Sequence, residues 1–199
     1  MPFLLLYSEV NLMARCDWVN SDPLYINYHD HEWGVPEYDD QKLFELLLLE
    51  GAQAGLSWYT VLKKRDNYRR LFDHFDPKKI AAYDEEKVQS LLKDSGIIRN
   101  KLKVRAAITN AKRYFSIEEE YGNFSNYIWS FVDGKPIVNH WQAMNEVPVT
   151  TEISDRMSKS LKKKGFKFVG PTICYAFMQA SGMVHDHLTT CICYKKDLV

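Results

Sequence analysis

Residues 85–115 read EEKVQSLLKDSGIIRNKLKVRAAITNAKRYF, and this stretch decides the architecture. Asp84, Glu85 and Glu86 open it with an acidic turn, which suits the positive end of a helix dipole. Val88, Leu91 and Leu92 then recur at helical spacing. Asp94-Ser95-Gly96-Ile97-Ile98 interrupts the pattern with a tight connection. Val104, Ile108, Ala111 and Phe115 restore a near-helical period on a segment rich in Lys and Arg. Two amphipathic helices joined by a short turn are the unit from which the remaining chain is read.

Outward from this unit the pattern stays helical. Asp76-Pro77 marks a helix start, because proline suits the first helical position. Ser57 can cap a helix that carries Trp58, Val61, Leu62, Tyr68 and Leu71. Asp39 or Asp40 can cap another, running through Leu43, Phe44, Leu47 and Leu48 to Glu50. Phe124, Ile128, Trp129 and Phe131 suggest a further helix, residues 154–164 another, and Pro171 starts a buried one that Gly182 ends. Residues 132–149, with Gly134, Pro136 and Pro148, read as irregular. No run of alternating apolar and polar residues supports a sheet, and no repeat is visible. The expected fold class is all-α.

The chain has 199 residues, 46% of them hydrophobic and 26% charged, with 26 basic and 26 acidic side chains. That is one domain with a core, and the zero net charge excludes a histone-like coat while leaving room for a local basic face. Residues 1–12 contain a short apolar run without a positive leader, a poor export signal and too short for a bilayer. They are expected to be an appendage to a domain spanning 13–199. Four cysteines, Cys16, Cys174, Cys191 and Cys193, are too few for a disulfide scaffold and fit a reducing, cytoplasmic setting.

Cys16, His29, His187 and Cys191 form a candidate tetrahedral zinc set, since thiolate and imidazole suit that ion. His187 and Cys191 converge if they lie one helical turn apart, whereas Cys16 and His29 would come from a loop-rich segment. By residue type His31, His185 and Cys193 compete for the same role. Cys174, beside Ile173 and Phe177, reads as core. Glu50 shares a helix face with Leu43 and Leu47, and a carboxylate at the end of an apolar face is costly unless paired or given a cationic ligand. Trp18, Tyr25, Tyr28, Trp33, Trp58 and Tyr59 crowd the first third of the chain. No Walker A loop, dinucleotide fingerprint or iron–sulfur cysteine run is present.

Several long motifs occur in order: Arg15-Cys16-Asp17-Trp18, Asp22-Pro23-Leu24-Tyr25-Ile26, Tyr28-His29-Asp30 and Glu32-Trp33-Gly34-Val35-Pro36. They continue with Leu49-Glu50-Gly51, Gln53-Ala54-Gly55-Leu56-Ser57-Trp58, Gly165-Phe166-Lys167-Phe168-Val169-Gly170, Phe177-Met178-Gln179-Ala180 and Asp186-His187 with Cys191. Together, over residues 15–194, they closely resemble the bacterial DNA-3-methyladenine glycosylases of the constitutive type I class, a divergent branch of the helix-hairpin-helix DNA glycosylases. The resemblance implies a monofunctional enzyme that flips N3-methyladenine out of alkylated double-stranded DNA and hydrolyses its N-glycosidic bond, leaving an abasic site. It selects Cys16, His29, His187 and Cys191 as ligands of one structural zinc that staples both ends of the domain.

The same resemblance gives Glu50 and Tyr28 the catalytic contacts to the polar edge of the base. Trp58 would stack on the base, with Trp18, Tyr25 and Gln53 completing its site. Gly55 and Leu56 would fill the gap left in the duplex, and a hairpin at about residues 85–115 would offer Gly96, Arg99 and Lys101 to phosphate. The hairpin departs from the glycine-richer form of the superfamily. No acidic side chain lies between Arg99 and Phe115, where the superfamily usually keeps an aspartate, and no lyase lysine is evident. A monomer without membrane contact is expected. The competing readings are a zinc-stabilised DNA-binding module without activity and a metal-dependent nuclease or hydrolase.

Overall fold

A computed structural model describes residues 14–196; the proposed appendage, residues 1–12, lies outside them. The fold is mostly helical. Among the described residues ten α-helices follow one another: α1 Pro23–His31, α2 Asp40–Gln53, α3 Trp58–Leu62, α4 Arg65–Leu71, α5 Pro77–Ala81, α6 Glu85–Lys93, α7 Lys101–Tyr121, α8 Phe124–Trp129, α9 Glu152–Lys163 and α10 Pro171–Ala180. The only strands among the described residues are β1, Ile137–Val138, and β2, Val184–His185, which pair in parallel with Ile137 opposite Val184. Two residues per strand are too few to show any alternation in sequence, so this pair escapes periodicity analysis.

The helix starts follow local chemistry. Asp39, Ser57, Asp76, Asp84 and Asn100 each accept hydrogen bonds from backbone N–H groups of the following first turn. Such caps satisfy donors that have no partner within the helix, at about 1 kcal/mol each. α2 is the central element: Leu43, Phe44, Leu47 and Leu49 are almost fully buried, and the helix packs on α3, α7, α8 and α10. Burying such side chains contributes roughly 1.5–3 kcal/mol apiece. Burial all round α2 also carries Glu50 into the interior on its last turn.

Three elements differ from expectation. α1 replaces a loop: Asp22 Oδ1 accepts from Leu24 N at 2.8 Å and Pro23 takes the first turn, the same signal that marked Asp76-Pro77. The expected helix after Ser57 divides into α3 and α4 at Lys63 and Lys64, where Lys64 Nζ donates to the Ser95 carbonyl at 2.7 Å. α7 runs past Phe115 to Tyr121, because no stop signal precedes Gly122, whose N–H closes the helix on Glu118 O at 2.8 Å.

The α6–α7 connection is a tight turn. Asp94 Oδ1 accepts from Gly96 N at 2.7 Å, Ile97 is buried, and Ile98 N donates to the Tyr68 hydroxyl at 3.0 Å. A Cβ at Gly96 would sit 2.9 Å from Asn67 Cγ, so glycine is required here by close approach. No helix of the described residues is long and apolar enough to cross a membrane.

Candidate functional site

A cavity of about 220 Å³ opens where α1, α2, α3 and α10 meet. It is lined by Trp18, Tyr25, Tyr28, Trp33, Glu50, Gln53, Trp58, Met144, Ala176 and Gln179. Tyr28 and Trp58 face one another with ring centroids 5.3 Å apart, and Trp18 leans on Tyr25 at 5.1 Å and on Trp33 at 5.0 Å. Tyr59 supports Tyr25 from outside by stacking at 5.1 Å, and its hydroxyl donates to Asp22, the cap of α1. Behind Tyr28 lies the Arg65 guanidinium, paired with Glu32 at 2.5 and 2.9 Å.

Glu50 is the charged group of this cavity. It is 3% exposed, and its Oε2 has no hydrogen-bond partner. Burial pushes its carboxyl up to about 8 from an ordinary value near 4.5. Such an orphan is expensive in the free protein, and it fits a site built for a ligand that brings positive charge or donors. Trp58 Nε1 is the second buried polar atom in the cavity wall without a partner. All six residues read from sequence as the pocket, Glu50, Tyr28, Trp58, Trp18, Tyr25 and Gln53, are therefore brought together. Met144, Ala176 and Gln179 were missed. Gln179 alone carried a signal, as a large polar side chain in the apolar run of α10.

The loop between Gln53 and Trp58 leaves the cavity rim and returns to it. Gly55 has φ +78 with open space where a Cβ would be, and Leu56 is 42% exposed. Leu56 is thus not tucked into the core. Lys103 Nζ reaches back from α7 to the carbonyls of Ala52 and Ala54, both at 2.7 Å, and pins this loop to the hairpin unit. Lys103 is therefore turned inward, and Arg105 pairs with Glu85 at 2.7 Å. Arg99 and Lys101 remain exposed beside the turn. The Gly96 amide is engaged by Asp94, so its N–H does not point free into solvent.

Cys16, His29, His187 and Cys191 form a second constellation. All four are buried, and their ligand atoms lie within 4.8 Å of one another. Cys191 Sγ is 3.4 Å from both His29 Nε2 and His187 Nδ1, and Cys16 Sγ is 3.7 Å from His187 Nδ1. Tetrahedral zinc, with Zn–S of about 2.3 Å and Zn–N of about 2.0–2.1 Å, sets ligand atoms about 3.3–3.8 Å apart. The separations fit. The outer ring nitrogens fit too: His29 Nδ1 meets Asp30 Oδ1 at 2.7 Å and His187 Nε2 meets the Trp33 carbonyl at 3.1 Å. Partners of this kind fix the tautomer and direction of metal-binding imidazoles. Arg15 grips Asp30 with both nitrogens, at 2.8 and 2.7 Å, and holds its carboxyl well below the usual range.

The competing residues separate clearly. His31 and His185 lie outside the four-residue cluster, and Cys193 belongs to the neighbouring His29–Asp30 group. His187 and Cys191 do not share a helix: a turn closed by Cys191 N on Leu188 O at 2.8 Å brings them together. His29 comes from α1, not from a loop. Cys174 is core, as expected. The cluster and the cavity share walls, since Trp18 lies 5.1 Å from the His29 ring and Trp33 lies 4.7 Å from the His187 ring.

A helical body with an aromatic-walled pocket around a buried carboxyl, beside an exposed apolar loop and the turn that leads to Arg99 and Lys101, gives a cavity suited to a flat ligand. Comparison with known proteins agrees. The family model described as methyladenine glycosylase matches residues 18–194, and the chain belongs to that family. It is 57% identical over 182 residues to DNA-3-methyladenine glycosylase 1 of Escherichia coli, spanning 92% of this chain and 97% of that protein. It is 53% identical to the DNA-3-methyladenine glycosylase of Haemophilus influenzae, over 92% and 98%. A crystal structure of 3-methyladenine DNA glycosylase I superimposes with a TM-score of 0.89 at 56% identity, covering 91% of this chain and 100% of the other. The Staphylococcus aureus enzyme, solved for its recognition of 3-methyladenine, gives 0.90 at 38% identity, with 94% and 99% covered.

Proposed function

We infer that the chain is a DNA-3-methyladenine glycosylase, a hydrolase of N-glycosyl bonds that removes N3-methyladenine from alkylated DNA. The observation that carries the reading is the partnerless carboxyl of Glu50 at the head of an aromatic cavity. Methylation at N3 gives the base in DNA a positive charge. A carboxylate then selects it over neutral adenine, and the aromatic faces add a cation–π contribution on the order of 1–2 kcal/mol. Trp58 and Tyr28 offer the flat walls that an extruded base needs, and Trp18, Tyr25 and Gln53 close the site.

In the reaction, water adds to the sugar C1′ as the C1′–N9 bond breaks. The bond's electron pair goes to the purine, which departs neutral, and the water's second proton is lost to solvent. Because the leaving group starts as a cation, departure needs no protonation. The work assigned to Glu50 and Tyr28 is to bind and orient the base, and the absence of an acidic residue between Arg99 and Phe115 is consistent with that economy. With no lyase lysine in the cavity, the product is an abasic site.

DNA engagement follows the same reading. The hairpin unit, residues 85–115, acts as a helix-hairpin-helix with Arg99 and Lys101 toward phosphate and Gly96 permitting the tight turn. Gly55 and Leu56 enter the gap in a double-stranded substrate. Cys16, His29, His187 and Cys191 would hold one zinc ion. Four protein ligands leave no open position, so the ion would cross-link the domain's ends without touching substrate. The domain spans 13–199, acts as a monomer, and works where bacterial DNA lies, in the cytoplasm. The test is chromatographic assay of bases released from methylated duplex DNA. Release of N3-methyladenine supports the reading, and its absence defeats it.

A further inference from the structure

The Asp186 side chain is buried, 1% exposed, and its two oxygens accept from four neutral donors. Asn139 Nδ2 and Trp141 Nε1 donate to Oδ1 at 2.7 and 2.9 Å. The Tyr175 hydroxyl and Gln179 Nε2 donate to Oδ2 at 2.6 and 2.8 Å. The last bond has a chemical consequence. Trp141, Asn139 and Tyr175 already donate to the two oxygens of Asp186, and Gln179 Nε2 is the fourth donor, so the amino end of the Gln179 amide is committed to Asp186. Turning the amide round would set oxygen against oxygen at the same distance. The carbonyl Oε1 is the end of the amide that Asp186 does not hold, and Gln179 lines the cavity. Glu50 Oε2, buried and without a partner, lines the same cavity. The Gln179 and Glu50 side chains thus serve one small site.

We propose that Gln179 is a specificity-determining residue of the pocket, its Oε1 accepting from the exocyclic amino group of the methylated base, and that Asp186 is the positioning residue that turns this oxygen inward. The proposal rests on the reading of the cavity as the N3-methyladenine site. The positive charge of the methylated base is shared with its amidine nitrogens, which makes the amino hydrogens strong donors and the bond charge-assisted. A 6-oxo purine presents an oxygen where adenine presents N–H. Against Gln179 Oε1 that leaves two acceptors facing one another and unpaired, and sites built around a hydrogen bond reject such analogues strongly. Trp141 and Asn139 matter here because they fill the other oxygen of Asp186 and keep the carboxylate from rotating away.

The test compares binding of free 3-methyladenine and 3-methylhypoxanthine, its 6-oxo counterpart, by quenching of tryptophan fluorescence. Wild type should favour the amino base by about tenfold, the size of one hydrogen bond exchanged for two acceptors left facing one another. Gln179→Met keeps length and volume but cannot accept, and should cut that preference by about tenfold; the lost donor to Asp186 lowers the melting temperature but does not by itself change the ratio between the two bases. Asp186→Asn lets the amide turn round and should narrow the preference too. Equal weakening of both bases in Gln179→Met would make the residue a packing element and overturn the proposal, as would a preference unchanged in either variant. Should wild type release no N3-methyladenine from methylated DNA, the reading of the pocket fails as well; release with an unaltered preference in Gln179→Met defeats Gln179 alone.

Discussion

Glu50 should make kcat/KM on methylated DNA rise with pH. In the free protein its carboxyl is held up to about 8 by burial, so most molecules carry it protonated at neutral pH. Only the carboxylate attracts a cationic base. With a value of about 8, the ionised fraction is about 1% at pH 6 and about half at pH 8. The expected rise between those values is about fiftyfold, levelling above pH 8, and shedding the proton at pH 7 costs binding about 1.4 kcal/mol. The lesion's charge is fixed over this range. The other titratable groups lining the cavity, Tyr25 and Tyr28, are moved above the ordinary tyrosine value, first by burial and then by the Glu50 charge. The assay is single-turnover release of N3-methyladenine from duplex DNA at constant ionic strength, for wild type and Glu50→Gln. A flat wild-type profile, a rate that falls toward pH 8, or the same slope in Glu50→Gln would refute the reasoning.

Stability should run the other way. A carboxyl raised from 4.5 to about 8 makes the folded state bind more protons than the unfolded state between those values, so its contribution to stability falls as pH rises through that window. Glu50→Gln should therefore stabilise the free protein on the order of 3 kcal/mol at pH 7, with the gain fading toward pH 4.5, as thermal unfolding across pH would measure. Elemental analysis should find about one zinc per chain, and Cys16→Ser should lose it and lower Tm by roughly 10 °C, the equivalent of about 3 kcal/mol in a chain of this size. Full stability without metal would count against the staple. Leu56→Ala should leave Tm nearly unchanged, because the side chain is 42% exposed. The same change should weaken binding to lesion-containing duplex by roughly tenfold or more, the cost of taking an apolar side chain out of the duplex gap. An equal weakening on undamaged DNA would remove the wedge role.

What the sequence disclosed was whatever is written locally. Asp76-Pro77, Asp84 and Ser57 announced helix starts because a cap needs only its own first turn. The shared face of Leu43, Leu47 and Glu50 made the carboxyl a candidate for burial, but as the last-turn residue of a helix it could equally have faced water, and only the packing of α2 on all sides decides it. The start of α1 was equally explicit at Asp22-Pro23. It was masked because α1 buries Tyr25, Tyr28 and His29 instead of an aliphatic stripe. The turn joining His187 to Cys191 could not be told from a helix by spacing alone. Met144 and Ala176 reach the cavity through the packing of the segment after β1 and of α10, a long-range outcome with no local mark. Gln179 stood out in an apolar helix, yet its meaning depends on Asp186, seven positions away and just past β2.

The cysteine–histidine cluster also sets an order of events. Cys16 and His29 are 13 positions apart and His187 and Cys191 only 4, but 171 positions separate Cys16 from His187. Each close pair can meet while the chain between is still unfolded. Joining the pairs closes a loop of almost the whole protein, among the longest-range pairings in the fold, and pairings of that kind form slowly. Trp18 and Trp33 wall both the cluster and the cavity, so the cavity is finished when the clasp shuts. The α6–α7 unit, by contrast, is made of neighbours in sequence. The expected order of folding is the α6–α7 unit first and the closed cavity last, which pulse-labelled hydrogen exchange during refolding would check.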